Sequence, residues 1–403
     1  MFTKALFGCC LSLLMLPHAA AQREIEIRGR GAAVSIMDFT PFEAQGADGS
    51  EFLSTLRRNL VISGSFRDGA PSEAQFVLRG RAAPEGGQLR VMVEVVSSGN
   101  NQRRFAQGYV IEPGRGRALG RRVSDEILSG VLNQEGFARK RIVFVGQQPG
   151  DRHKELFAMF PDGGDRIQLT RFNAVVLGPR WTPEGDGVVY TSYHRGFPDV
   201  VRQNLRTGTL DTIAAFPGLN TGGAISPDGR YSALILSRDG KPELYVKDLR
   251  TNRLARLTNT PTSAKSSPSW SPDGSRIVFV SGHQGRPHLY VIGREGGGPR
   301  RITTGGAENL SPVWGKNGLI AFTRRIGRVY QTAVINPENG EIQMVSPDDA
   351  NYEDPSWAPN GRHLVVSRTI GGQTSLHLLD TRGGAPIALL RERGNWYMPT
   401  WQP

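Results

Sequence analysis

W-S-P-D-G, at Trp270–Gly274, is the most complete copy of a five-residue pattern that recurs through the C-terminal part of the chain. The other copies are W-T-P-E-G from Trp181, I-S-P-D-G from Ile225, W-G-K-N-G from Trp314, W-A-P-N-G from Trp357 and a partial W-Q-P from Trp401. Successive copies begin 43 to 45 residues apart. A period of roughly 40–50 residues is typical of the blades of a β-propeller.

The pattern itself has the chemistry of a tight turn. Pro272 fixes φ for the first corner of a type I turn, Asp273 suits the second corner, and Gly274 accepts the left-handed conformation that follows. The turn therefore joins two antiparallel strands as a hairpin. We assign the aspartate to turn geometry; the alternative is calcium binding.

A short apolar strand follows each complete turn, and it is apolar on both of its faces. Ile277 and Phe279 point to one side of the strand R-I-V-F-V-S-G, and Val278 and Val280 point to the other. Such a strand must be covered on both sides. Four-stranded sheets that stack radially meet this need, because each covers its neighbour. A solenoid is the structural alternative, but it has two open ends that need caps.

The two ends of the repeat region are incomplete in complementary ways. Three strands without a first strand precede Trp181, namely R-I-V-F-V-G at 141–146, E-L-F-A-M-F at 155–160 and R-I-Q-L-T at 166–170. Y-M-P-T-W at 397–401 is a first strand without successors. Pairing the two groups completes a sixth blade, and a closed ring leaves no exposed sheet edge at its ends. The predicted fold is therefore mixed: an N-terminal α/β domain precedes an all-β six-bladed propeller, closed by its first and last strands.

Residues 34–139 lack the repeat and are predicted to form the small α/β domain, with the propeller at 140–403. Ser50 is predicted to cap a first helix that ends near Ser63, and Gly136 is predicted to close a second helix. The connection at 137–140 is so short that the two bodies should pack firmly together.

Residues 1–21 have the composition of a secretory signal peptide. Lys4 precedes an apolar run from Ala5 to Leu16, which is shorter than the ~20 residues of a membrane span, and Ala19–Ala21 is a small-residue cleavage site. Lipid attachment at L-F-G-C is the alternative, but the apolar run continues past this sequence. The chain has 2 cysteines, which are adjacent within this run. The mature chain is therefore predicted to have no disulfide and no cysteine-ligated metal.

The mature N-terminus, residues 22–33, begins with a strand-like segment that is amphipathic with a period of two. Its side chains alternate between apolar and charged at Arg23, Glu24, Ile25, Glu26, Ile27 and Arg28. A terminal strand of this kind can add to the edge of a partner's sheet. It can equally be an edge strand of the first domain, and the residues alone leave both readings open.

Composition and motifs give no support for an enzyme or a nucleic-acid-binding protein. The formal net charge of +12 is spread over the chain without an aromatic–basic motif. Attraction to acidic partners or to an anionic envelope surface stays open. The G-x-S-x-G of a propeller-gated peptidase and the boxes of a sialidase are absent, and the histidines lack metal-ligand spacing. We therefore predict no catalytic residue, metal or cofactor; an enzyme or small-molecule site in the central channel is the alternative.

The whole chain resembles the TolB family of the Tol-Pal envelope system. The most specific stretch is R-R-V-S-D-E-I-L-S-G-V-L-N-Q-E-G-F-A-R-K-R-I-V-F-V at 121–145, supported by V-S-I-M-D-F and F-R-D-G-A-P-S-E-A-Q-F-V-L-R-G-R in the first domain. The resemblance implies a monomeric periplasmic binding protein without enzymatic activity. It also implies a role in outer-membrane integrity and in constriction during cell division.

The resemblance further implies two partner sites. The strand at 22–33 would bind a TolA-like inner-membrane protein through Arg23, Glu24, Ile25, Glu26, Ile27 and Arg28. A Pal-like peptidoglycan-associated lipoprotein would bind the loops that enter the first strand of each blade. The residues expected there are Asn220, Thr221, Lys265, Ser266, Asn309, Glu353, Asp354 and Tyr397.

Overall fold

The computed structural model describes residues 34–260, 264–283, 285–390 and 392–403, together with the backbone of an N-terminal strand, β1 (Glu24–Glu26). The predicted signal peptide lies outside these residues. Within the described ranges, no helix is both long enough and apolar enough to cross a membrane. The chain forms a small α/β domain followed by six four-stranded blades, as the repeat predicts.

The α/β domain is a sheet covered by two helices. Its elements are β2 (Ser35–Asp38), β3 (Phe42–Ala44), α1 (Gly46–Ile62), β4 (Phe66–Asp68), β5 (Phe76–Glu85), β6 (Gln88–Ser97), β7 (Arg103–Ile111) and α2 (Gly116–Leu132). The sheet order is β4-β2-β5-β6-β7, with β3 also paired to β5. Phe52 and Leu56 of α1 and Val123 of α2 share one buried cluster with Val91 and Val93 of β6. The apolar face of β6 therefore packs against both helices.

The start of the first helix and the end of the second differ from the sequence-based prediction. The first helix begins at Gly46, so Ser50 lies inside it and its Oγ donates to the Gly46 carbonyl at 2.9 Å instead of capping. This helix ends at Ile62 with Ser63 as its C-cap, as predicted. The second helix ends at Leu132, and its C-cap is Asn133, in the left-handed conformation with φ 51°, rather than the predicted Gly136.

Gly136 has a packing role instead. It faces Asp125 of α2, whose carboxylate accepts from the backbone N–H of Ala138 at 2.9 Å and from Nε of Arg139 at 3.1 Å. A Cβ added at Gly136 would lie 2.2 Å from Oδ1 of Asp125. The glycine therefore lets the connection between the domains pass close to the helix.

Replacing Gly136 by alanine is expected to destabilise the junction by about 1–3 kcal/mol, because the new methyl group would displace the Asp125 carboxylate from its partners. Chemical denaturation measures the loss. Gly99→Ala is the matched control, since a Cβ there meets nothing within 4 Å. Equal stability of the two variants would contradict this role of Gly136.

The propeller consists of six antiparallel sheets around a channel. Five blades are formed from strands that are consecutive in the chain. The first two consist of β11 (Val176–Trp181), β12 (Gly187–Ser192), β13 (Asp199–Asn204) and β14 (Leu210–Ala214), and of β15 (Asn220–Ile225), β16 (Tyr231–Leu236), β17 (Glu243–Asp248) and β18 (Leu254–Arg256). The next three consist of β19 (Lys265–Trp270), β20 (Arg276–Ser281), β21 (His288–Gly293) and β22 (Gly296–Arg301); of β23 (Asn309–Trp314), β24 (Ile320–Ile326), β25 (Val329–Ile335) and β26 (Ile342–Met344); and of β27 (Asn351–Trp357), β28 (His363–Ile370), β29 (Gln373–Asp380) and β30 (Ile387–Ala388).

The sixth blade joins the two ends of the repeat region, which confirms the predicted closure. Its order is β10 (Ile167–Gln168), β9 (Glu155–Met159), β8 (Ile142–Gln147) and β31 (Asn395–Trp401). β31 and β8 are antiparallel, with Asn395 opposite Gln147 and Trp401 opposite Ile142. Trp396 is 1% exposed and packs edge-on against Phe144 and Phe157.

The two-sided apolar strands behave as predicted. Ile277 and Phe279 of β20 share a buried cluster with Ile235 of the preceding blade. Val278 and Val280 share another cluster with Phe322 of the following blade. Each second strand therefore contributes to two inter-blade cores.

The α/β domain packs on the propeller face that carries the turns between first and second strands and between third and fourth strands. Arg121 of α2 is 2% exposed, and its guanidinium binds Asp162 at 2.6 Å and Asp165 at 2.6 Å, both in the turn between β9 and β10. Phe137 of the connection lies edge-on to Trp401, with ring centroids 5.1 Å apart. The firm packing expected from the short connection is present, and the opposite face of the propeller carries no part of this domain.

Candidate functional site

The first strand of every blade is kinked by a β-bulge where it borders the channel. The pairing of each first strand with its second strand shifts register at this point. The residues at the shifts with positive φ are Gly178 (59°), Gly222 (95°), Gly223 (73°), Ser267 (51°), Ser311 (46°), Asp354 (51°) and Met398 (46°). Non-glycine residues adopt this conformation at a cost of order 1–3 kcal/mol, and such bulges re-aim side chains next to functional sites.

Three of the residues expected at the lipoprotein site are buried and hold loops together. Asn220 accepts from the backbone N–H of Phe216 at 2.9 Å, and Lys265 Nζ lies 3.8 Å from a carboxylate oxygen of the buried Glu243. Asn309 is 0% exposed and accepts from Arg324 at 3.0 Å. Their side chains fix the entry to β15, β19 and β23 and present no surface to a partner.

The other five residues lie partly buried near the entrance of the channel, on the face opposite the α/β domain. We call Thr221, Ser266, Glu353, Asp354 and Tyr397 the channel rim. The group combines two hydroxyls, two carboxyls and an aromatic ring that lies 4.4 Å from Lys154 Nζ. The first strands of four blades contribute to it, so it is a property of the ring rather than of one loop.

The two rim carboxyls are neighbours in sequence and have altered acidity. Burial raises the pKa of Glu353, and the charge of Asp354 raises it further. Burial also raises the pKa of Asp354, although a hydrogen bond from Ser311 Oγ at 2.9 Å and the charge of Arg180 oppose the shift. These carboxyls are therefore less readily ionised than exposed ones, which reduces the cost of covering them.

The N-terminal strand lies on the propeller and not on the sheet of the first domain. β1 pairs in parallel with β26, the outermost strand of its blade, with Glu24 opposite Ile342 and Glu26 opposite Met344. Of the other residues expected to bind a partner through this segment, Arg23, Ile27 and Arg28 lie outside the described residues. The alternative of an edge strand in the first domain is therefore wrong for Glu24–Glu26.

The aspartates of the repeat turns act as hydrogen-bond acceptors. Asp273 accepts from Ser271 Oγ at 2.5 Å and from the backbone N–H of Ser275 at 3.1 Å, and these bonds lower its pKa to about 2. Asn317 and Asn360 accept backbone N–H groups in the corresponding turns. The turn needs an acceptor and not a charge, and the described residues include no group of three potential metal ligands.

Comparison with known proteins identifies the family. Residues 129–403 match the family model described as "TolB beta propeller domain". The chain belongs to the TolB family. Two curated relatives from strains of Francisella tularensis, each named "Tol-Pal system protein TolB", are 26% identical to it over 306 residues, covering 71% of this chain and 69% of the relative.

A solved structure of TolB from Acinetobacter baumannii superposes with a TM-score of 0.81 at 24% identity, covering 93% of this chain and 98% of that one. The likeness shows that the α/β domain and the propeller together form the TolB fold. The propeller alone is less specific, because a nidogen–laminin complex matches 65% of this chain with a TM-score of 0.53 at 12% identity. The chain is thus a TolB-family protein in which the propeller follows an N-terminal α/β domain.

Proposed function

We propose that this protein is a periplasmic binding scaffold that links a TolA-like inner-membrane protein to a Pal-like lipoprotein, supporting outer-membrane integrity and constriction at division. The proposal treats it as a monomer without catalytic activity. The main support for the proposal is the placement of β1. This short strand lies on the edge of a propeller blade, although the α/β domain is the domain that follows it in sequence.

The pairing of β1 suits a reversible contact. It involves three residues and is parallel, the less stable arrangement per residue. Release of the strand would expose backbone donors and acceptors that can pair with the edge of a partner's sheet. Two states, one stowed on β26 and one released, then give a physical basis for coupling between the partners.

The channel rim supports the lipoprotein side of the proposal. It lies on the propeller face that the α/β domain leaves uncovered, and its two carboxyls have raised pKa values. A carboxyl whose pKa is raised costs less to cover than one with an ordinary pKa, because less free energy is needed to neutralise it. The two partner sites are separate, so both can be occupied at once.

Deleting residues 22–33 is expected to abolish binding of a TolA-like domain while leaving the propeller folded and able to bind a Pal-like protein. Calorimetric titration with each purified partner measures both affinities, and circular dichroism checks the fold. Unchanged affinity for the TolA-like domain would overturn the assignment of the strand.

Substituting Ser266→Arg on the channel rim is expected to weaken binding of a Pal-like protein at least about tenfold, because a long charged side chain would be introduced into the centre of the interface. Thr207→Arg is the matched control, since Thr207 is exposed in the turn between β13 and β14 on the other face. Equal affinities of the two variants would exclude the rim as the contact.

A further inference from the structure

A second site lies at the other end of the channel, where the first strands end in the repeat turns. A cavity of about 410 Å³ opens there among the blades. Its walls include the turn tryptophans Trp181, Trp270, Trp314, Trp357 and Trp401, together with prolines of the same turns. Cavities that hold small molecules in proteins have volumes of about 300–1,000 Å³.

The aromatic walls of this cavity are held in place by hydrogen bonds. The indole N–H of Trp181 donates to the Thr400 carbonyl at 3.1 Å, and that of Trp270 donates to the Ala224 carbonyl at 2.8 Å. The Trp357 indole donates in the same way to the blade before it, at Val313. These three indole N–H groups are already satisfied, so their rings can offer a ligand mainly apolar surfaces. Trp401 differs, because its indole N–H is buried without a hydrogen-bond partner among the described residues.

One charged side chain in these walls is not satisfied. Arg180 lines the cavity, and within the described part of the chain no hydrogen bond or ion pair reaches its guanidinium. The guanidinium has a favourable electrostatic interaction with Asp354, but the hydrogen bond that the Asp354 carboxylate accepts comes from Ser311 Oγ, at 2.9 Å. Lys316, the other cation in the wall, is paired with Glu135 at 3.0 Å. No aspartate or glutamate side chain lines the cavity.

We propose that this cavity binds a small organic monocarboxylate with an aromatic or aliphatic body. The carboxylate would pair with the Arg180 guanidinium, whose planar donors match it in a two-point contact. The body would lie against the tryptophan and proline walls, where burial of apolar surface stabilises it. The negative charge of Asp354 on the channel side disfavours a second carboxylate on the ligand.

Calorimetric titration of the full chain with phenylacetate tests the proposal, with phenylacetamide as a neutral ligand of nearly the same shape. Saturable one-to-one binding of phenylacetate is expected, at least about tenfold tighter than binding of the amide, since a charge-assisted pair contributes more than a neutral one. Arg180→Gln should remove this difference, and Arg180→Lys should retain part of it. The cavity tryptophans make intrinsic fluorescence an independent readout.

Arg253→Gln is the matched control, because it removes one positive charge from an exposed position outside the cavity. It should bind phenylacetate as tightly as the parent protein. Equal binding of the acid and the amide to the parent, failure of both to bind, or tighter binding of phenethylamine would each overturn the proposal. The acid–amide comparison uses the parent protein, so the test stands even if an Arg180 variant is unstable.

Discussion

Deleting Met398–Pro403 is expected to lower the free energy of unfolding by at least about 4 kcal/mol and to abolish a cooperative thermal transition. The deletion removes the half of β31 that pairs Thr400 with Val143 and Trp401 with Ile142. It also removes Trp401, which is 4% exposed, from the core that it shares with Phe137. Loss of a buried tryptophan alone costs about 3–5 kcal/mol. Differential scanning calorimetry measures the change.

Deleting Pro403 alone is the control for this truncation. It removes the contact of the Pro403 carbonyl with Lys140 but keeps Gln402, whose backbone N–H donates to the Arg141 carbonyl at 2.8 Å. This shorter deletion should leave the melting temperature close to that of the parent. If both truncated proteins melted at the parental temperature, closure of the ring by β31 would not be needed for stability.

Replacing Arg121 by methionine is expected to cost about 3–5 kcal/mol and to split thermal unfolding into two transitions. The substitution keeps most of the side-chain volume but leaves Asp162, whose side chain is 5% exposed, buried without its cation. An uncompensated buried charge is strongly destabilising. The guanidinium also lies 3.9 Å from the centre of the Phe160 ring, so its loss weakens the same contact between the domains.

Arg122→Met is the matched control at the next position of the helix. Arg122 is exposed and forms a single ion pair with Glu126 at 2.7 Å, which contributes at most about 1 kcal/mol. It should unfold in one transition like the parent. A single transition in the Arg121 variant, at the parental temperature, would show that the domains do not depend on this ion pair.

The propeller could be predicted from the sequence because its signals are local and repeated. The turn chemistry of W-S-P-D-G and the two-sided apolar pattern at 277–280 depend on residues within one blade. The closure was predictable because the partial repeats at the two ends complement each other. The structure confirms each of these features.

The start of the first helix could not be predicted, because contacts distant in sequence decide it. The first helix starts early since the backbone N–H of Gln45 donates to the Ala82 carbonyl at 2.8 Å. The carboxylate of Asp48 then accepts from the backbone N–H of Gly114 at 2.6 Å, which ties this turn to the start of the second helix. A capping rule that considers neighbouring residues alone favours Ser50 instead.

The candidate site was predictable only in part. The sequence correctly placed the residues at the start of the first strands. The burial of Lys265, however, depends on Glu243, which lies in β17 of the preceding blade. The sequence does contain a signal for the positions of the bulges. In five of the six first strands, a proline directly follows the residue at the bulge, as in D-P-S-W at 354–357. Proline has no N–H to give to a sheet and is found within sheets mainly at edges and bulges, so the dipeptide marks the irregular position.

The closing blade also fixes the order in which this protein can assemble. A hydrogen bond from Arg141 to the side chain of Gln402 joins residues 261 positions apart, and the same blade carries Asp162 at the domain contact. Five sheets can form as their segments of chain emerge, because each is built from consecutive residues. The sixth must wait for the last residues to arrive, and contacts of such long range form slowly. Completion of the circle and docking of the first domain are therefore late and mutually dependent steps of maturation.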